Sequence, residues 1–73
     1  MISHDDIWRA IDRLAAERGL TPSGLARAAG LDSTTFNPSK RITPSGRPRW
    51  PGTESLARTL SATGISFEGF SRL

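Results

Sequence analysis

Prolines at 22, 38, 44, 48 and 51 and glycines at 19, 30, 46, 52 and 64 cut this chain into short pieces, and that punctuation limits its folds most. Proline cannot continue a helix, and glycine ends helices in the left-handed region. One long piece escapes the breakers, and there Ile7, Trp8, Ile11, Leu14 and Ala15 recur at spacings of three and four, the stripe of an amphipathic helix from Asp5 to Arg18. Gly19 stops it. Thr21 then caps a second helix with Pro22 at its first position, running to about Ala29. Gly30 ends that helix, Leu31 turns into the core, and Asp32 caps a third beginning Ser33-Thr34-Thr35-Phe36, which Pro38 makes short or kinked. Residues 41–52 read as a long irregular connection. A fourth helix spans about Thr53 to Ala62 with Leu56, Ala57 and Leu60 inward, and Ser66 caps a last short one carrying Phe67, Phe70 and Leu73. The expectation is an all-α domain of five helices. Its core is Ile7, Ile11, Leu14, Leu20, Leu25, Ala26, Ala29, Leu31, Phe36, Leu56, Leu60, Ile65, Phe67 and Phe70.

A chain of 73 residues holds one domain, 1–73, which buries about 60% of its extended surface. Without cysteine it is no disulfide scaffold, and with His4 as its sole histidine it has no ligand set for a structural metal, so no metal and no cofactor are expected. No apolar run spans a membrane and Asp5-Asp6 follow the start, which reads as a cytoplasmic chain. The net charge of +3 is unevenly placed. Residues 1–36 carry four arginines against five acids, whereas residues 37–58 carry Lys40, Arg41, Arg47, Arg49 and Arg58 against Glu54 alone. Such a mid-chain excess suits a polyanion, although a solvated loop has the same composition.

The pattern around Ala26, Gly30 and Phe36 carries the functional reading. Alanine lets a crossing helix approach, glycine supplies the positive φ of a tight turn, and the phenylalanine sets the crossing angle. Two capped helices joined this way form a helix-turn-helix whose second helix faces outward with Ser33, Thr34 and Asn37. Hydroxyls and an amide suit base edges. An ordinary helical hairpin with a solvated face is the alternative.

The run Thr21-Pro22-Ser23-Gly24-Leu25-Ala26-Arg27-Ala28-Ala29-Gly30-Leu31-Asp32-Ser33-Thr34-Thr35-Phe36, with Trp50-Pro51-Gly52-Thr53-Glu54-Ser55-Leu56 and Gly64-Ile65-Ser66-Phe67, resembles the Cro/CI-type (XRE) helix-turn-helix family over nearly the whole chain. Ile7-Trp8-Arg9-Ala10-Ile11-Asp12 and Phe36-Asn37-Pro38-Ser39-Lys40-Arg41 are similar to the N-terminal domains of LexA/CI-like bacterial or phage repressors, in which a self-cleaving serine-lysine peptidase domain follows. The resemblance implies a five-helix, lambda-repressor-like DNA-binding domain, an N-terminal piece of a longer, nucleoid-associated transcriptional repressor. It departs from the family at Ser39, where an aliphatic residue is usual, and at Pro38, where proline is rare. Carried over, it assigns Ser33, Thr34 and Asn37 to base edges and Pro38 to a thymine methyl. It assigns Thr21, Ser23, Lys40, Arg41, Arg47 and Arg49 to phosphates, with one loop arginine free to enter a minor groove.

Trp50 before Pro51 is expected to staple onto the fourth helix, and Trp8 to be core or half-core. No enzyme is expected, because only His4 and Lys40 offer a base for a serine nucleophile. RNA is disfavoured by the lack of tyrosine and by phenylalanines on core-facing positions. The partner is therefore double-stranded DNA at a palindromic operator, this piece being a monomer and the intact protein a homodimer. The competing reading is a helical protein-interaction module, antitoxin-like or an assembly adaptor, working through an apolar face.

Overall fold

The computed structural model describes residues 2–73 and is all-α, with four α-helices rather than five. They are α1 (His4–Glu17), α2 (Pro22–Ala28), α3 (Thr53–Thr63) and α4 (Phe67–Ser71). Among the described residues none is long and apolar enough to cross a membrane. The radius of gyration is 11.5 Å, close to the about 11 Å expected of a packed chain this long, so the proline-rich connection lies against the helices rather than trailing from them.

Local chemistry sets the helix ends. The Ser3 hydroxyl accepts from the Asp6 N–H while the Asp6 carboxylate accepts from the Ser3 N–H, a reciprocal cap that starts α1. Thr21 caps α2 through Gly24 N–H with Pro22 in the first position, and Ser66 caps α4 through Gly69 N–H. Gly19 and Gly30, at φ of 69° and 74°, end α1 and α2 in the same way. In each case the glycine N–H and the following leucine N–H bond back to carbonyls left open by the last turn, Leu20 to Ala15 at 2.8 Å and Leu31 to Ala26 at 2.9 Å.

The apolar stripe of α1 packs on α2 and α4, and α2 packs on α3. Trp8, Ala10, Ile11, Leu14, Ala15, Leu25, Ala26, Phe36 and Phe70 form the core, with Ile7, Leu31, Leu56, Leu60, Ile65 and Leu73 packed around it. Thr59 is also fully buried, tolerated because its hydroxyl donates to the Ser55 carbonyl at 2.9 Å. Two expected core members are not there. Leu20 is 37% exposed and lies over the start of α2, beside Gly24. Phe67 is 70% exposed: of the two aromatics on the short α4, Phe70 takes the core position, and Phe67 stands on the rim of an apolar cleft. Ala57 likewise faces solvent.

The expected third helix is absent. Asp32 is followed by overlapping turns and then a single 3₁₀ turn, Pro38–Lys40. The Asp32 carboxylate takes both the N–H and the hydroxyl of Thr34, at 2.8 and 2.6 Å, and the Thr35 hydroxyl donates to the Asp32 carbonyl at 2.6 Å. These short-range bonds compete with helical ones. Pro38 then removes an N–H and holds Asn37 extended, at φ −63° and ψ 147°, so no α-helix propagates through this point.

Candidate nucleic-acid interface

The turns from Asp32 to Asn37 occupy the place expected of a recognition helix and still fix the polar residues. Phe36 is fully buried and acts as their anchor, meeting Trp8 edge-on at 6.2 Å between ring centroids. Around that anchor Thr34 is exposed and Ser33 and Asn37 are half-buried. The hydrogen bonds from Thr34, side chain first and then backbone, hold the Asp32 carboxyl below its ordinary 3.8, with Lys40 adding a smaller contribution. Asp32 is therefore an anion whose charge is spent on ordering the turn.

The connection after Lys40 is not irregular. It doubles back as a narrow ribbon, with Arg49 N–H on the Arg41 carbonyl at 2.9 Å, an antiparallel bridge between Ile42 and Pro48, and Thr43 N–H on the Arg47 carbonyl at 2.8 Å. Gly46, at φ 85°, makes the reversal. Both feet of the ribbon rest on α1. His4 Nε2 lies 2.8 Å from the Arg41 carbonyl and 3.0 Å from the Arg49 carbonyl, so that nitrogen carries the hydrogen and donates to both. The Trp8 indole N–H donates to the same Arg49 carbonyl at 2.9 Å; its 3.1 Å approach to His4 Nε2 joins two N–H groups and is no hydrogen bond.

Arg41 closes the arrangement and is not a free cation. Its guanidinium meets both oxygens of Asp12, at 2.8 and 2.7 Å, donates to the Phe36 carbonyl at 2.9 Å and lies 4.6 Å over the Trp8 ring. Its Nε–H is buried without an acceptor. The phosphate role expected of Arg41 gives way to this structural one, because a side chain fixed on three sides by its own protein has little left for a ligand.

Thr34 and Thr35 share a polar cleft of about 390 Å³ with Lys40, Arg49 and Trp50, floored by Trp8 and closed by Ser55 of α3. Base-reading and phosphate-binding candidates thus meet there in the persons of Thr34, Lys40 and Arg49. Arg47 is exposed near the ribbon tip. Pro38 faces another concavity, with His4, Asp12, Arg41 and Ile42. The Thr21 hydroxyl is occupied as a cap, and Ser23 is half-buried beside it. Trp50 is 52% exposed, meets His4 edge to face with ring centroids 6.0 Å apart, and shares the cleft with Ser55 of α3.

Sequence reading passed over His4 and Asp12 as parts of the site. Their signal is the spacing His4, Trp8, Asp12, a four-residue repeat that lines one edge of α1 and faces the ribbon. Lys40, Arg47 and Arg49 have no carboxylate within 4 Å among the described residues, whereas Arg9, Arg58 and Arg72 pair with Asp6, Glu54 and Glu68. No family model, no curated protein and no solved structure matches this chain.

Proposed function

We propose that this chain is a sequence-specific double-stranded DNA-binding domain, lambda-repressor-like in its arrangement, and that it serves a transcriptional repressor. The observation that carries the reading is the meeting of Thr34 with the unpaired Lys40 and Arg49 and the half-exposed Trp50 in one open cleft. Cations with no carboxylate within 4 Å are free to replace the counterions of phosphates, and the Thr34 hydroxyl beside them, its hydrogen given to Asp32, keeps lone pairs to accept from a base edge. From Ser33 to Thr53 there is no acidic residue, and the carboxylate that does line the cleft, Asp32, is engaged by the Thr34 N–H and hydroxyl and lies within the field of Lys40.

Selection of bound sequences from a random duplex pool, followed by titration of the winner at several salt concentrations, tests the reading. Enrichment of a common half-site and a steep fall of affinity with salt support it. Failure to enrich any sequence, with no salt-dependent binding to duplex, sinks it.

A second reading, a helical protein-interaction module, rests on a different surface. Ile2, Ile7, Leu56, Phe67, Phe70 and Leu73 line an apolar cleft of about 640 Å³, with Ile2 and Phe67 well exposed. Binding of a partner helix there, retained by variants lacking Lys40 and Arg49, favours this reading over the first.

A further inference from the structure

We propose that the cleft between the Asp32–Thr35 turns and the start of α3 binds a free nucleoside monophosphate, its base stacked on Trp50 and its phosphate held by Lys40 and Arg49, and that the bound nucleotide displaces duplex DNA from the same residues. The displacement rests on the DNA-binding reading; the binding of the nucleotide does not. At about 390 Å³ the cleft lies within the roughly 300–1,000 Å³ of small-molecule sites.

The groups that line it are unspent. Lys40 and Arg49 have no carboxylate within 4 Å, and neither lies over the Trp50 ring: among the described residues the cation over an indole is Arg41, over Trp8. Trp50 meets the ring of His4 at 77° between planes, so no aromatic ring lies parallel to it and about half of the residue stays exposed. Both Thr34 bonds to Asp32 fall on Oδ1, which leaves Oδ2 without a hydrogen-bond partner among the described residues. Ser55 accepts from Thr59 through its carbonyl, and its hydroxyl is left free at the cleft.

This mixture of groups fits a nucleotide better than a phosphate backbone. A carboxylate opposes a row of phosphates, whereas ribose hydroxyls and the exocyclic amine of a base donate to one, which gives Asp32 Oδ2 a partner. A base inside a duplex is stacked on both faces and cannot lie on Trp50, while that of a free nucleotide has both faces open. One ring also gives room for one base. A single strand needs further aromatic platforms for its neighbours, and the other exposed aromatic, Phe67, lines the separate apolar cleft. Because Thr34, Lys40 and Arg49 serve both ligands, a nucleotide in the cleft takes away the cations and the hydroxyl that the duplex uses.

Calorimetric titration of the whole chain with adenosine 5′-monophosphate, adenosine and inorganic phosphate tests the binding. The monophosphate is expected to bind about tenfold more tightly than either of the other two and to quench indole fluorescence. Trp50→Leu is expected to lose about tenfold of that affinity together with the quenching, and Trp50→Phe to keep the affinity within about threefold. Lys40→Ala is expected to bind the monophosphate no better than adenosine, and unchanged helical circular dichroism in each variant separates lost contacts from lost folding. No binding of the monophosphate at millimolar concentration, an affinity untouched by Trp50→Leu, or tighter binding of a short single strand than of the monophosphate overturns the site. A selected half-site duplex then tests the displacement, its apparent Kd being expected to rise in proportion to occupancy by the monophosphate. A nucleotide that binds while duplex affinity stays constant overturns the displacement and leaves DNA binding standing. A chain that binds the nucleotide and no duplex overturns the DNA reading and leaves the nucleotide site.

Discussion

Asp12 and Arg41, 29 residues apart, form a two-pronged ion pair with N–O distances of 2.8 and 2.7 Å, and it joins the first helix to the foot of the ribbon. The arginine is mostly buried, its side chain 16% exposed, while Asp12 keeps 44%. Such a pair lies between the surface case, worth little, and the buried one, which is costly to break. Asp12→Ala is expected to lower the unfolding free energy by about 1–3 kcal/mol, because Arg41 then keeps a partly buried charge over Trp8 with no anion beside it. Urea denaturation measures this. A loss no larger than that of Asp5→Ala, whose side chain is 92% exposed and meets only the His4 ring at 3.4 Å, would show that the pair does not hold the ribbon.

Phe36 and Phe67 are expected to behave in opposite ways. Phe36 is fully enclosed between Trp8 and the helices, so Phe36→Ala leaves a cavity and costs about 3–5 kcal/mol, a large part of the stability of so small a domain. Phe67, 70% exposed, is expected to change stability by less than about 0.5 kcal/mol when replaced by serine. Thermal melts of the two variants side by side decide the matter; equal losses would contradict the burial described above.

Glycine-to-alanine substitution is expected to change sign between a position inside α2 and one just past its end. At Gly30 a Cβ meets nothing within 4 Å, yet φ is 74°, so alanine there costs about 1–2 kcal/mol of backbone strain. At Gly24, inside α2, the nearest atoms to a new Cβ stand at ordinary contact distances of 3.4–3.6 Å and φ is helical, so alanine is expected to gain about 0.5–1 kcal/mol. Equilibrium unfolding of the two single variants is the measurement, and stabilisation at both positions would rule out the left-handed cap.

Two turn carboxylates, Asp6 and Asp32, are expected to contribute to the acid limb of stability. Asp6 is held below its ordinary 3.8 by the Ser3 N–H first and the Ser3 hydroxyl second, and Asp32 by the Thr34 hydroxyl and N–H. A carboxyl whose pKa is lowered on folding stabilises the fold fully above its unfolded value, and that contribution disappears as pH falls through the folded one. Urea midpoints are therefore expected to be steady above about pH 5 and to drop as pH falls through 3.8 and below it. Asp32→Asn keeps an oxygen for Thr34 but cannot titrate, and is expected to flatten part of that drop. An identical acid limb in the variant would remove Asp32 from the account.

Within the proposed interface, Thr34→Val and Lys40→Ala are expected to separate base reading from phosphate binding. Loss of the Thr34 hydroxyl costs about 1–3 kcal/mol of discrimination at one base pair, while loss of Lys40 weakens every sequence alike and lowers the salt slope by about one. Competition among duplexes varied one base pair at a time reads both effects. If the two variants share one sequence profile and one salt slope, the division of roles within the cleft is wrong.

Much of this chain is decided by neighbours a few residues apart, and those features are legible in the sequence alone. The stripe from Ile7 to Ala15, the caps at Thr21 and Ser66 and the glycine stops at 19, 30 and 64 depend on local hydrogen bonds and on φ, and the structure has each where the spacing puts it. The all-α class and most of the core follow from the same periodicity. Tertiary structure decided the rest. Ser33-Thr34-Thr35 read as a helix start, but the Thr34 and Thr35 side-chain bonds to Asp32 and the extended residue before Pro38 left turns instead, held in place by burial of Phe36 against Trp8. The proline-rich stretch read as irregular because the local bonds that close it between Arg41 and Arg49 leave no periodic apolar pattern. Its place on the fold comes from His4, Trp8 and Asp12, 29 to 45 residues away, and a contact of that range is set by how the chain packs rather than by any local pattern. For the same reason Arg41, indistinguishable by composition from Arg47 and Arg49, became part of the scaffold, while those two stay exposed with no carboxylate within 4 Å among the described residues.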